Sequence, residues 1–169
     1  MKNKHVFIIN GSGGVGKDTF VNFVAELVPT RNISSVDPIK DVAKRLGWTG
    51  AKEEADRKFL SDLKALSVNY NDYPMEYMKE QYQQFMVHSP NEKFMFIHIR
   101  EPKEIKRAVE IFSAKTVLVT NRNVESITSN HSDQGVYDYD YDFVIHNDST
   151  LETLREMAKA FFVVHYTSN

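Results

Sequence analysis

The sequence predicts an α/β fold with a parallel sheet. Short apolar runs typical of strands alternate with longer segments whose apolar residues recur at helical spacing. A glycine-rich turn follows the first apolar run and leads directly into a helical segment. The chain has 169 residues, about one domain in length, and it can bury a core without the help of disulfides or metal.

The first part of the chain is predicted to alternate strands and helices. The expected strands cover about 4–10 and 33–36, and the expected helices cover about 17–28, stopped by Pro29, and 37–47, stopped by Gly47. Asp37 followed by Pro38 is a typical helix start, with Asp37 as the N-cap residue.

The middle of the chain is rich in predicted helix. One helix has an apolar face formed by Phe59, Leu63, Leu66 and Tyr70. A second helix opens at Pro74 and carries the stripe Met75, Met78, Tyr82, Phe85 and Met86. We interpret this stripe as core packing rather than as a ligand-binding surface.

The last part of the chain contains three more predicted strands. They cover about 94–99, 116–120 and 143–145, with a helix at 102–113 and a polar, irregular stretch at 121–134. Ser149 and Glu152 form a capping box that predicts the start of a closing helix.

Composition excludes several classes of protein. The chain has no cysteine, which excludes a disulfide framework, a thiolate zinc site and a cysteine nucleophile. The formal net charge of −2 gives no positive field to attract nucleic acid. No apolar run is long enough to cross a bilayer, so we expect a cytoplasmic protein without a membrane partner.

The strongest motif is a phosphate-binding loop, Gly11-Ser12-Gly13-Gly14-Val15-Gly16-Lys17, which fits the pattern G-x-x-x-x-G-K. Glycines allow the backbone to turn so that successive N–H groups point at one anion. The following helix adds its positive N-terminal end, and Lys17 adds a mobile charge for the β- and γ-phosphates.

The residue after the lysine departs from this pattern. Ser or Thr is expected there as a Mg²⁺ ligand, but this chain has Asp18 followed by Thr19. Either Asp18 binds Mg²⁺, directly or through water, or Thr19 takes that role, and we favour Asp18.

Other motifs narrow the reaction class. The chain lacks the D-x-x-G and N-K-x-D motifs of GTPases and the L-S-G-G-Q signature of transporter ATPases. It has no standard Walker B strand, and the nearest acid is Glu101. The remaining class is the small kinases, which position two phosphates with basic side chains.

The loop resembles that of phage-type deoxynucleoside monophosphate kinases and animal-type phosphomevalonate kinases, whose variant is G-K-D-[TF]. Further similar segments follow in order along nearly the whole chain: Asp37-Pro38-Ile39-Lys40 for D-P-x-K, Arg57 to Leu60 for R-x-x-L, His98-Ile99-Arg100 for D-x-R, His131-Ser132-Asp133 for H-x-S-E, and Asp142 to Asn147 for D-x-V-I-x-N.

The resemblance implies a P-loop, nucleoside-monophosphate-kinase-like domain over 1–169, with a three-layer α/β/α architecture and a five-stranded parallel sheet in the order 2-3-1-4-5. It implies an acceptor-binding helical insert at about 37–90, a short lid at about 121–138, and the cofactors ATP and Mg²⁺. The residues implied for catalysis are Lys17, Arg100 and Arg122. Residues 11–19 are implied for ATP, with Asp18 and Thr19 for Mg²⁺. The residues implied for a small phosphorylated acceptor are Asp37, Lys40, Arg57, Arg100 and His131.

Several of these residues have an alternative interpretation. Asp37 is also a helix cap, Lys40 is also a solvated lysine, and Arg57 is also the partner of Glu53 in a surface ion pair. His98 lies between Ile97 and Ile99, which favours a hydrogen-bonded core histidine where the related kinases have an acid.

The predicted function is transfer of the γ-phosphoryl group of ATP to the phosphate of a small metabolite, foremost a (deoxy)nucleoside monophosphate. Phosphomevalonate is an alternative acceptor, and a sensor that binds nucleotide without turnover is an alternative function, because Arg122 is the one basic residue of the lid. The alternating stretch 137–142 of tyrosines and aspartates is interpreted as a solvated acidic face rather than a metal site.

Overall fold

The structure is a computed structural model that describes residues 4–124 and 135–167. Within these ranges the strands are β1 (His5–Asn10), β2 (Thr30–Ser34), β3 (Phe94–His98), β4 (Lys115–Thr120) and β5 (Phe143–His146). The helices are α1 (Lys17–Ala25), α2 (Asp37–Arg45), α3 (Glu54–Asn71), α4 (Tyr73–Gln83), α5 (Pro102–Phe112) and α6 (Leu151–Thr167).

The strands form one parallel sheet in the order β2-β3-β1-β4-β5, as the resemblance implied. The central strand β1 pairs with β3 on one side and with β4 on the other. β2 and β3 therefore lie on one side of β1, and β4 and β5 lie on the other. At such a point the carboxyl ends of the strands open a crevice, which is where open α/β sheets bind ligands.

The central strands β3, β1 and β4 are buried on both faces, which explains their nearly continuous apolar sequences, whereas the edge strands β2 and β5 are partly exposed. Phe7 and Ile9 of β1 face a core that includes residues of α1 and α6, whereas Val6 and Ile8 face a core that includes residues of α4 and α5. The stripe predicted as core is core: Met75, Met78 and Phe85 are at most 1 % exposed, and Tyr82 and Met86 pack against them.

Several predicted boundaries are wrong by a few residues. Helix α1 ends at Ala25 rather than near 28, and β2 covers 30–34 rather than 33–36. Helix α4 ends at Gln83 and passes into one π-helical turn, Gln84–His88.

Two predicted helix caps are also wrong. The hydroxyl of Thr150, not Ser149, accepts the amide of Thr153 at 3.2 Å, because α6 begins one residue later than the capping box implied. At α2 the N-cap residue is Val36, and the Asp37 carboxylate turns back to accept the amide of Ser34 at 2.7 Å.

Helix α3 does not bury its predicted apolar face. Leu66 is 68 % exposed, Tyr70 is 86 % exposed, and none of the helix's residues is buried. The helix is attached from its other side, where Lys64 pairs with Glu101 and Glu104 at the start of α5. Among the described residues, no helix combines the length and the apolar character that crossing a membrane requires.

Candidate functional site

The glycine-rich loop lies between the carboxyl end of β1 and the first turn of α1, where a phosphate-binding loop belongs. Gly14 and Gly16 have φ values of +79° and +100°, which side-chain-bearing residues rarely adopt. Gly16 is the N-cap residue of α1, and its carbonyl accepts the amide of Phe20 at 2.9 Å. The backbone therefore turns sharply and presents the N-terminus of the helix to the crevice.

Two glycines are also required by close contacts. A Cβ on Gly11 would lie 2.4 Å from the carbonyl oxygen of Val119 in β4, and a Cβ on Gly16 would lie 2.5 Å from Nδ2 of Asn147. That Asn147 nitrogen donates to the carbonyl of Val15 at 3.0 Å. The loop is thus held from the β4 side and from the segment after β5.

Lys17 closes the loop on itself. Its Nζ donates to the carbonyl of Gly11 at 2.6 Å and to the carbonyl of Ser12 at 2.8 Å. The ammonium therefore lies at the mouth of the loop, beside the backbone that a phosphate would contact.

Asp18 and His98 meet beside the loop. The Asp18 carboxylate is 86 % exposed, and its Oδ1 lies 3.8 Å from Nε2 of His98. The same Nε2 lies 2.9 Å from Oδ1 of Asn32 in β2, so it carries a proton and donates to that oxygen. His98 is hydrogen-bonded, as predicted, but it borders the site.

The charge on His98 is set by its surroundings. Burial, helped by the positive charges of Lys17, Arg100 and Lys40 and opposed by Asp18, lowers the pKa of His98 to about 4. The imidazole is therefore neutral at pH 7. Three of the predicted cationic residues therefore lie within electrostatic range of one side chain at the carboxyl end of β3.

Two other predicted site residues are not part of this cluster. Arg57 is exposed in the first turn of α3. Glu53 does not pair with Arg57 but forms a capping box with Asp56 at the start of this helix. Arg122 is 83 % exposed, and its Nε lies 3.2 Å from the carboxylate of Asp148.

Three of the remaining predicted site residues lie in the first turns of helices α1 and α2, and the others lie outside the described ranges. Asp37 and Lys40 lie in the first turn of α2 and are half-buried, with Lys40 near His98. Thr19 is half-buried in the first turn of α1. His131 and Asp133 lie outside the described residues.

Sequence reasoning missed several residues that shape the site. Asn10 and Tyr141 join the loop to distant segments, and Asn32 holds His98. Asn32 lies two residues before the carboxyl end of the edge strand β2 and is itself exposed, so its polar character gave no signal of this contact. Nothing in the sequence pairs Asn10 with Tyr141, because they are 131 positions apart.

The acidic stretch 137–142 is not a strand, and its two residue types separate only in part. Asp138, Asp140 and Asp142 are all exposed, as predicted for a solvated face, and Tyr139 and Tyr141 pack against the core, but Tyr137 is 54 % exposed. Asp142 also accepts hydrogen bonds from the amide and the hydroxyl of Thr116 at 2.7 and 2.9 Å.

This loop, between the central strand of a parallel 2-3-1-4-5 sheet and a helix, gives the chain the fold of P-loop α/β proteins. Dephospho-CoA kinase from Campylobacter jejuni matches with a TM-score of 0.57 and 17 % identity, covering all of both chains. A sugar kinase from Janibacter sp. HTCC2649 matches at 0.53 and 13 %, over 98 % of this chain and 97 % of that one. Shikimate kinase from Aquifex aeolicus matches at 0.50 and 11 %, over 97 % and 99 %.

These likenesses show the shared fold. No family model matches the sequence, and no curated protein matches it. The arrangement of the described residues is suited to holding a polyphosphate by main-chain amides and one ammonium, with further cations a short distance away at the end of β3.

Proposed function

We propose that this protein is an ATP-dependent phosphotransferase that moves the γ-phosphoryl group of ATP to the phosphate of a small metabolite. In this reaction the bond between the γ-phosphorus and the β–γ bridging oxygen breaks. A bond forms from that phosphorus to an acceptor phosphate oxygen, and ADP leaves. The foremost acceptor is a (deoxy)nucleoside monophosphate.

The observation that carries the proposal is the loop 11–17 at the carboxyl end of the central strand, with Lys17 at its mouth. Phosphoryl transfer requires positioning and charge neutralisation rather than a covalent intermediate. Loop amides and Lys17 supply both for the donor, and Arg100 with Lys40 supplies cationic charge for an acceptor phosphate on the β3 side.

Mg²⁺ fits the same place. The exposed carboxylate of Asp18 in the first turn of α1 offers the hard anionic oxygen that Mg²⁺ prefers, and Thr19 offers a hydroxyl next to it. Among the described residues, no group of three or more His, Asp or Glu side chains forms a ready metal site. Asp18 would therefore hold the ion together with the phosphates, where Mg²⁺ neutralises β- and γ-oxygen charge.

A second candidate is a nucleotide-binding protein that does not transfer phosphate. It is favoured by the pairing of Arg122 with Asp148, which engages the basic residue of the lid. The neutral His98 in place of an acid favours it as well. Transfer to phosphomevalonate is a third candidate, because the fold admits kinases whose names give quite different acceptors.

The test is an ADP-release assay with MgATP and a panel of nucleoside monophosphates, deoxynucleoside monophosphates and phosphomevalonate. The proposal expects acceptor-dependent ADP release that Lys17→Ala abolishes. Lys115→Ala is the matched control, because Lys115 is an exposed lysine at the amino end of β4, whereas the loop lies at the carboxyl ends of the strands. ATP binding without turnover on any acceptor would favour the second candidate.

A further inference from the structure

The buried side-chain amide of Asn10 connects three parts of the proposed site. Asn10 ends β1 and is 1 % exposed. Its Oδ1 accepts the amide of Gly11 at 2.8 Å, and its Nδ2 donates to the carbonyl of Arg100 at 3.1 Å and to the hydroxyl of Tyr141 at 2.8 Å. Both N–H groups and the oxygen of this amide are therefore used.

The bond to Arg100 continues the sheet beyond its last backbone pair. The pairing of β1 with β3 reaches the hydrogen bond from the amide of Ile99 to the carbonyl of Ile9 at 3.3 Å. Beyond this pair, β1 ends at Asn10 and the chain after β3 turns toward α5. The Asn10 side chain then holds the carbonyl of Arg100, so one amide sets the first residue of the loop relative to Arg100.

Tyr141 fixes the orientation of this amide. Its hydroxyl accepts from Asn10 and donates to the carbonyl of Val136 at 2.7 Å. Burial raises the pKa of Tyr141 to about 12, so the phenol keeps the proton that it donates. With its single proton directed to Val136, the hydroxyl presents only lone pairs to Nδ2 of Asn10.

The segment that carries Tyr141 touches the phosphate-binding loop at a second point. The hydroxyl of Tyr137 lies 3.4 Å from Oγ of Ser12. Gly135 packs closely on Pro102, where a Cβ would lie 3.2 Å from Cδ, and Val136 is fully buried. This segment is therefore anchored to the start of α5, next to Arg100, as well as to the loop.

We propose that Asn10 and Tyr141 are positioning residues that hold the phosphate-binding loop and Arg100 in a fixed relation, so that phosphoryl donor and acceptor are aligned. This inference rests on the proposed function. Asn10 acts on the donor side through Gly11 and on the acceptor side through Arg100, and Tyr141 acts through Asn10. Neither side chain needs to touch a substrate.

Removal of the Tyr141 hydroxyl breaks this arrangement without creating a large cavity. Tyr141→Phe leaves one N–H of Asn10 and the carbonyl of Val136 without their partner. Loss of alignment by a fraction of an ångström reduces transfer steeply. We expect kcat/KM for the acceptor to fall about tenfold, whereas the Kd for ATP changes less than twofold, because the contact of Asn147 with Val15 still holds the loop.

The matched control is Tyr139→Phe. Tyr139 lies in the same segment, its ring centroid is 5.1 Å from that of Tyr141, and it takes no part in the hydrogen bonds of Asn10. It should retain the wild-type kinetics. In an Asn10→Ser background, Tyr141→Phe should cause less than a twofold further loss, since both residues act through one amide.

Three measurements are independent of one another: steady-state kinetics with the acceptor that the ADP-release assay identifies, titration with ATP, and hydrogen exchange of the peptide covering 10–17. The proposal expects faster exchange of this peptide in Tyr141→Phe and unchanged exchange in Tyr139→Phe. Equal effects of the two variants, fully additive losses with Asn10→Ser, or unchanged exchange in Tyr141→Phe would overturn it. If the wild type turns over no acceptor, the proposed function fails separately, and the exchange result still decides whether Tyr141 holds the loop.

Discussion

Gly16→Ala tests whether the loop is held by Asn147. Gly16 has a φ of +100°, and an added Cβ would lie 2.5 Å from Nδ2 of Asn147. Gly47 offers a matched control, because its φ is +99° and an added Cβ would meet nothing within 4 Å. Both variants carry the cost of a left-handed alanine, and only Gly16→Ala also displaces a neighbouring side chain.

The difference between the two variants follows from the contacts. A left-handed conformation costs an alanine about 1–2 kcal/mol at either position. Gly16→Ala additionally breaks the hydrogen bond from Asn147 to the carbonyl of Val15, a residue only 2 % exposed, which adds about 1–2 kcal/mol. We therefore expect a loss of about 1–2 kcal/mol for Gly47→Ala and about 2–4 kcal/mol for Gly16→Ala.

Urea unfolding followed by circular dichroism measures both losses, and in a chain of this size the melting temperature should differ by about 4 °C between the variants. Gly16→Ala should also weaken ATP binding, whereas Gly47→Ala should leave it unchanged. Adding Asn147→Ala to Gly16→Ala should cost less than the sum of the single variants, because the clash is relieved. Equal losses of stability at the two glycines would refute the argument.

Two further predictions concern stability. Lys64→Met should lower the free energy of unfolding by about 3 kcal/mol, because it leaves the largely buried carboxylate of Glu104 unpaired. Lys58→Met, which breaks an exposed ion pair on the same helix, should lower it by less than about 0.5 kcal/mol. Similar losses for the two variants in urea titrations would contradict this. Burial lowers the pKa values of His5, His98 and His165, so the unfolded chain takes up protons first as the pH falls below about 6.5, and the free energy of unfolding should decline from pH 7 toward pH 5. The decline should become less steep in a variant with His5→Gln and His165→Gln, which keeps the contribution of His98, and an unchanged slope in thermal melts would count against it.

Local motifs account for what the sequence predicted well. The phosphate-binding loop contains its own physical requirements, since glycines at 14 and 16 take positive φ and the lysine lies within reach of the loop carbonyls. Alternation of apolar runs predicted each of the five strands of the sheet within a few residues, and helical spacing predicted the helices at 17–28, 37–47 and 102–113 with similar accuracy. The strand order came from the resemblance, and the structure confirms it.

Contacts between distant segments account for what it did not predict. Thr150 caps α6 although only Ser149 has a glutamate three residues later, because the backbone decides which hydroxyl precedes the helix. Apolar spacing on α3 predicted an apolar face, but it could not predict whether another element covers that face, and Leu66 and Tyr70 are exposed. The hydrogen bond of Asn10 with Tyr141 exists only once the sheet is formed.

The measurement that tests the central claim most directly is calorimetric titration of the wild-type protein and of Lys17→Ala with ATP and Mg²⁺. The account predicts saturable binding to the wild type and at least a tenfold weaker Kd for Lys17→Ala, because the variant lacks the ammonium at the mouth of the loop. Absence of binding to the wild type, or equal binding to both proteins, would contradict the assignment of 11–17 as a phosphate-binding site.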